Sequence, residues 1–285
     1  MTMHRTSRFL SSIVAFRRQL MRDRKRESRS IWFEGPIASW EEAKLVSVGY
    51  DSKIILDRTL GSTLKVRDGS VAFERDSVQF SKIEYSWPLL SGVLLGLAER
   101  AGPLSVLDFG GSLGTTYFQI RRFLREIDAV DWAIVEQHHY VEAGIQHLET
   151  PHFRFFRTIE EAIRWRRPAV ALFSSVLQYL EHPSALLEEI VRAEPRVVIL
   201  DRTPMTDSAK NQPIVQHIPA HIYEGSIPMW LLSRGQIASA LQNSYNLVEE
   251  FDALGGTGRT NDGVTFSWVG QVWARKSGKP LGKVA

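Results

Sequence analysis

The stretch VLDFGGSLG, residues 106–114, decides the fold. It opens on an apolar run of strand character, passes through one acid at Asp108, and closes on Gly110, Gly111 and Gly114, the pattern of a nucleotide-binding turn. A nicotinamide fingerprint needs G-x-G-x-x-G, and neither Gly110 nor Gly111 begins one that is completed. Outward from this turn, short β-branched or apolar runs recur at LSVLDF (104–109), DWAIVE (131–136), FRFF (153–156), AVALF (169–173) and RVVILD (196–201). The segments between them carry helical spacing: Tyr117, Ile120, Leu124 and Ile127 share one face, as do Val141, Ile145 and Leu148. Strand and helix alternating at this spacing predict βαβ units, a parallel sheet and right-handed crossovers.

In a doubly wound sheet the ligand lies beyond the carboxyl ends of the strands, where the first strand turns into its helix. Asp108 stands at that end, and the glycines let the backbone bend tightly beneath a ligand. A carboxylate there repels a pyrophosphate and attracts an ammonium. Glu136 ends the next strand, from which a carboxylate accepts both hydroxyl protons of a ribose. The two acids describe a ligand with an amino group, a ribose and no phosphate chain, which S-adenosylmethionine (SAM) fits. The alternative is a glycine-rich turn with no ligand.

The turn resembles motif I of class I methyltransferases, acid-x-Gly-x-Gly-x-Gly, except that Ser112 occupies the middle glycine position and Gly111 precedes it. Together with it, YSWPLL (85–90), VEQ (135–137), SSVLQYLEHP (174–183), DRTP (201–204) and IYEGSIPMW (222–230) resemble a largely uncharacterised family of bacterial class I SAM-dependent methyltransferases. That family is associated with surface-polysaccharide biosynthesis, and the resemblance spans roughly residues 31–275. It implies an α/β fold with a doubly wound, Rossmann-like class I methyltransferase sheet, mainly parallel with an antiparallel last strand. It also implies SAM as cofactor, held by Asp108, Gly110, Gly111, Ser112, Gly114, Glu136 and Gln137. It names no acceptor.

Where class I methyltransferases line the sulfonium and acceptor, this chain has Ser174, Ser175 and Gln178, candidates to hydrogen-bond the methionine part of the cofactor. The serines capping the next helix is the other reading. Many small-molecule methyltransferases that resemble this segment have histidine at the position of Gln178. Glutamine takes no proton at neutral pH, so any base must come from elsewhere. Asp201, at the end of the fifth strand, is a candidate to accept a hydroxyl proton, and Arg202 to hold an acidic substrate. Equally, the two form an ion pair that pins a lid. His217 and His221 are further candidate bases, or solvated surface histidines.

Glu74, Arg75 and Asp76 read either as a solvated charge run or, from their occurrence in the resembling family, as part of the site. Trp32, Trp40, Trp87 and Trp230 are candidates for an acceptor platform, with ordinary packing as the alternative. No metal is expected: His138 and His139 are adjacent on a helix and point apart, and no carboxylate joins His147 at a suitable spacing.

The chain of 285 residues, 44% hydrophobic and 24% charged, is long enough for a full core. It has no cysteine, which excludes disulfides, thiolate zinc sites and cysteine nucleophiles. The charge is uneven: residues 1–30 hold nine basic residues against two acidic ones, net +7, leaving −4 for the rest of a chain whose total is +3. A nucleic-acid groove needs basic residues spread over the folded body, so no nucleic-acid partner is expected.

Residues 1–30 read as a leader that is either a basic amphipathic helix, with residues 5–26 in peripheral contact with a membrane, or a poorly ordered tail. Residues 31–102 read as a helical N-terminal cap, with capping-box starts at Ser39 and a cap at Ser86. Residues 103–276 read as the SAM-binding domain, with a proline-containing lid at about 202–232, and residues 277–285 as a tail. Ser233 with Gln236 starts a further helix, and YNLVEEF and VTFSWVGQVWA form an antiparallel pair at the end of the sheet.

The expected activity is methyl transfer to oxygen of a small-molecule or glycan acceptor, a saccharide or lipid-linked intermediate, in the cytoplasm or at the inner face of the membrane. A non-catalytic binding or scaffolding protein and a nicotinamide enzyme acting on sugar nucleotides are the alternatives.

Overall fold

The computed structural model describes residues 30–49, 52–98, 103–127, 129–220, 222 and 225–276. Residues 1–29 of the leader, the tail at 277–285 and His221 lie outside them. In chain order, β1 (Trp32–Glu34) leads to α1 (Trp40–Val46), α2 (Ser52–Arg67), a hairpin of β2 (Phe73–Arg75) and β3 (Val78–Phe80), and α3 (Trp87–Leu95). There follow β4 (Leu104–Phe109), α4 (Thr115–Leu124), β5 (Val130–Val135), α5 (His138–His147), β6 (Phe153–Phe156) and α6 (Ile159–Trp165). Then come β7 (Val170–Ser174), α7 (Pro183–Ala193) and β8 (Val197–Thr206). The described chain closes with β9 (Gln212–Ile218), β10 (Gly225–Ser233), α8 (Arg234–Leu241), β11 (Tyr245–Arg259) and β12 (Thr265–Arg275).

Strands β6, β5, β4, β7 and β8 lie side by side and parallel. Strand β12 adds to β8 antiparallel, and β11 to β12 antiparallel, the pair the sequence places at the end of the sheet. This is the doubly wound, mainly parallel sheet expected. The chain winds one way from β4 to β5 and the other way to β7, so the switch point lies at the carboxyl end of β4.

Both faces of the parallel strands are covered, which is why they read as unbroken apolar runs. Along β4 and β5 the side chains alternate. Leu104, Val106, Trp132 and Ile134 enter one core with Ile120 and Leu124 of α4, while Leu107, Ala133 and Val135 enter the other with Leu187 and Ile190 of α7. Each buried leucine or isoleucine contributes about 1.5–3 kcal/mol. On α5, Val141 and Leu148 are buried as the spacing predicts, but Ile145 is exposed.

The capping signals at Ser39 and Ser233 are realised, and Thr158, which the sequence did not single out, caps a third helix. Ser39 Oγ accepts from the Glu42 N–H at 3.1 Å, Thr158 Oγ1 from Glu161 N–H at 3.2 Å, and Ser233 Oγ from Gln236 N–H at 3.3 Å. Ser39→Ala is expected to cost about 1 kcal/mol, seen as a lower urea midpoint at unchanged slope. Ser86 precedes α3 without a side-chain cap bond, and Pro88 alone marks that start. The helix ends at Leu95, where the close approach of the sheet demands Gly96: a Cβ there would lie 2.4 Å from Val170 Cγ2.

Two stretches differ from their sequence reading. Residues 31–102 are helical only in part, because β1 joins the main sheet beside β9 and the β2–β3 hairpin interrupts the helices. The stretch at 202–232, read as an aperiodic lid, forms the end of β8 and the antiparallel strands β9 and β10. Its prolines mask the strand pattern because each sits where the ladder on one side is missing. Pro213 lies outside the β1 register, and Pro228 lies outside the two-residue contact of β10 with β8.

Candidate site at the carboxyl ends of the strands

The turn after β4 is built around backbone that only glycine adopts without strain. Gly110 has φ +68°, and a Cβ on it would lie 2.3 Å from Val176 Cγ2; its N–H is fixed on Val135 O at 2.8 Å. Gly111 sits so close to the Asp108 carboxyl that a Cβ would lie 2.6 Å from its Cγ. Ser112 takes φ +54° and turns its N–H to Glu136 Oε1 at 3.2 Å, while Gln137 N–H holds Oε2 at 2.7 Å. The serine that departs from the motif therefore tolerates the left-handed turn and links the first acid's loop to the second acid.

Asp108 is wholly buried. Its Oδ2 accepts from Trp132 Nε1 at 3.1 Å, and its Oδ1 has no partner. Burial pushes its carboxyl up to about 7, against the lowering effect of the indole hydrogen bond. Burial also raises Glu136, opposed by the two amides.

Glu74 completes the group. It is buried at the end of the hairpin, accepts from Thr115 Oγ1 at the start of α4 and from Ser77 N–H at 3.3 Å, and is raised to about 7 by burial. The one sequence signal for it was the short FERD charge run.

Ser174, Asp201 and Arg202 come together at the ends of β7 and β8. Ser174 Oγ donates to Asp201 Oδ2 at 2.6 Å, and Arg202 Nε lies 3.5 Å from the same oxygen. Arg202 also reaches Asp76 of the hairpin at 3.9 Å. Of the ion-pair and free-base readings of Asp201, the geometry realises the ion pair, with Arg202 spanning from sheet to hairpin.

Left-handed backbone at non-glycine residues concentrates here: Asp76, Ser77, Ser112, Ser175 and Arg202 all have φ between 48° and 67°. Each such residue costs roughly 1–2 kcal/mol, and strain of this kind gathers where a loop must present groups to a ligand.

A cavity of about 830 Å³ opens over this end of the sheet, lined by Gly110, Ser112, Glu136, Gln137 and Ser175 among others. His139 lines it too, with Nε2 buried and without a partner, whereas its neighbour His138 points to Glu142 at 3.4 Å. The cavity wall also holds Tyr179 and Gln216, whose side chains hydrogen-bond at 2.8 Å and which the sequence reading did not single out.

Other candidates lie elsewhere. Gln178 is wholly buried, its Nε2 on Ser175 Oγ at 3.1 Å. His217 points away from the cavity, because Gln216 and Ile218 take the cavity face of β9; it stacks on Trp32 at 3.8 Å and pairs with buried Glu34 at 3.0 Å. Trp40 and Trp230 stack on each other at 4.9 Å, and Trp87 packs near Tyr85 and Phe123, so these tryptophans form packing contacts and no platform in the cavity.

No protein-family model and no curated protein sequence matches the chain. Among solved structures it is similar to the N-terminal domain of EvdMO1 with S-adenosylhomocysteine bound. Identity is 16% and the TM-score 0.46, over 80% of this chain and 98% of that one. A second is the 1,6-didemethyltoxoflavin-N1-methyltransferase of Burkholderia thailandensis, at 12% identity and TM-score 0.41, over 86% and 93% of the two chains. A third is CalS10, an amino pentose methyltransferase from Micromonospora echinaspora, at 11% identity and TM-score 0.42, over 67% and 92%. These identities are too low to transfer a role to any residue.

Proposed function

We propose that this protein is a SAM-dependent methyltransferase that acts on a hydroxyl of a saccharide or lipid-linked glycan. The observation that carries the reading is the buried, half-unpartnered Asp108 carboxyl beneath the glycine turn, with Glu136 of the cavity lining at the next strand end and tied to that turn through the Ser112 N–H. Glu136 and Asp76, joined by Asp108 and Glu74 as these ionise around pH 7, place acids at this end of the sheet alongside Arg75, Arg157 and Arg202, and the acids suit a ligand carrying ammonium and sulfonium charge. Glu136 keeps one further acceptor lone pair on each oxygen for ribose hydroxyls, beyond the amides of Ser112 and Gln137.

When bound, the cofactor supplies a methyl group activated by its sulfonium. The chain's own work is then positioning: the Gly110–Gly114 turn fixes the floor, and the Arg202 bridge from Asp201 to Asp76 holds the hairpin over it. Holding donor and acceptor in line lowers the barrier by removing orientational freedom before the reaction.

Calorimetric titration with SAM tests the first step. Because Asp108 and Glu74 titrate near 7 and the ligand is cationic, affinity is expected to rise with pH, by about tenfold from pH 6 to pH 8. Absence of any binding heat would refute the reading.

A second reading, cofactor binding without turnover, draws on Gln178, which stands buried where resembling enzymes have a histidine. Methyl transfer to extracted glycans and glycolipids separates the two: bound cofactor with no labelled product supports the second.

A further inference from the structure

A second cavity, of about 400 Å³, lies along α4, between the end of α2, the end of α5 and the starts of β5 and β6. It shares no lining residue with the cavity over the glycine turn. Tyr117, Arg121 and Arg125 stand at i, i+4 and i+8 on α4 and its C-cap, in one line along the helix, and all three line the cavity. The floor beside them is apolar. Phe118, Leu124, Leu148 and Phe153 are buried there, and Tyr117 stacks on Phe153 at 4.5 Å.

The charge along this line is unbalanced. Elsewhere on the rim Arg67 pairs with Asp68 at 2.7 Å and His152 with Asp131 at 2.8 Å. Among the described residues, Arg121 and Arg125 have no carboxylate partner, and the Tyr117 hydroxyl has no hydrogen-bond partner. Arg121 is nonetheless held in place. Its Nη2 donates to Val66 O at 2.8 Å and its Nη1 to Arg67 O at 3.3 Å, and its guanidinium lies 5.2 Å from the centre of the Phe118 ring. Carbonyls occupy N–H groups but carry no counter-charge. Burial lowers Arg121 from its ordinary value and Arg125 lowers it further, while burial raises Tyr117 against the pull of both arginines. Like charges one helical turn apart repel, and an anion set between them turns that repulsion into attraction.

We infer that this cavity is a binding site for a phosphomonoester carried on an aromatic ring, with the ring on the apolar floor and the phosphate between Arg121, Arg125 and the Tyr117 hydroxyl. Two guanidiniums match the nearly double negative charge of a phosphomonoester and are shaped to take its oxygens in pairs. Phosphate alone would leave the apolar floor wet, and a neutral ring would leave the two charges facing each other. The floor also backs the glycine turn: a Cβ on Gly114 would lie 2.5 Å from Phe153 Cζ, and Tyr117 lies 5.6 Å from Trp132. The inference does not rest on the methyltransferase reading.

Titration of the full chain with phenyl phosphate, followed by phosphorus NMR, tests it, with inorganic phosphate and phenol as comparisons. Phenyl phosphate is expected to bind about tenfold tighter than either. Arg125→Gln, at a guanidinium with no hydrogen bond or ion pair to a described residue, is expected to weaken phenyl phosphate about tenfold at unchanged melting temperature. Tyr117→Phe keeps the ring and is expected to weaken it about threefold. Arg157→Gln, in the larger cavity, is expected to leave it unchanged.

No binding of phenyl phosphate, binding no tighter than that of inorganic phosphate, an affinity that Arg125→Gln or Tyr117→Phe leaves unmoved, or a loss with Arg157→Gln would each overturn the inference. SAM affinity is measured separately and bears on the methyltransferase reading alone.

Discussion

Asp108→Asn is expected to weaken SAM binding by on the order of 100-fold, the loss of a charged partner in a dry site, and at the same time to make the protein more stable at pH 8. The two effects share one cause. The folded carboxyl titrates at about 7, against an ordinary value near 4 in the unfolded chain. Below about pH 4 both states hold the proton and burial carries no electrostatic penalty. As pH rises towards 7 the unfolded chain ionises first, so folding loses free energy throughout that window, by on the order of 4 kcal/mol when complete.

Asparagine keeps an acceptor for the Trp132 indole and never ionises. Melting curves at pH 5 and pH 8 are expected to show the wild type losing stability with pH and the variant changing much less. Equal losses in both would mean that the Asp108 charge is relieved in the free protein. Glu74 titrates in the same window and leaves a residual slope in the variant.

Gly110→Ala is expected to destabilise the fold by about 2–4 kcal/mol, joining the left-handed penalty to overpacking against Val176. The components separate in a double mutant. Val176→Ala removes the nearest contact, at Cγ2, and is expected to restore part of the stability, with a coupling of about 1–2 kcal/mol, while the contact with the residue 176 Cβ at 2.8 Å and the backbone penalty at φ +68° persist. Urea unfolding of the four proteins reads both quantities. Additive losses would show that the turn relaxes away from β7's loop, and the close contact would then play no part in holding the cavity floor.

The parallel sheet was legible because burial on both faces leaves an unmistakable apolar run, and LSVLDF coincides with β4 from Leu104 to Phe109. The antiparallel closing pair was legible from two strand-like runs too close together for a crossover. Strands β9 and β10 were not, since Pro213 and Pro228 interrupt their alternation at positions where no second neighbour needs an N–H. Strand β1 is three residues long and is fixed by its partner β9, so nothing local announces it.

In the site, Asp108, Glu136 and the glycines were legible because their spacing along the chain is their geometry. His217 was not, because a histidine in a proline-broken stretch gives no clue to which face of a strand it takes. Gln216 lines the cavity and Glu74 holds Thr115 of its lining, both from elements outside the alternating core, and only the packing of those elements brings them there.

The hydrogen bond from Trp132 to Asp108 also furnishes the protein with an optical gauge. An indole with no solvent exposure, donating to a carboxyl whose charge changes near neutrality, emits according to that charge. Proton uptake at Asp108, or a cation settling above it, alters the field along the ring. The difference in emission between the wild type and Trp132→Phe, which isolates one indole of the chain's eight, is expected to follow the occupancy of the turn.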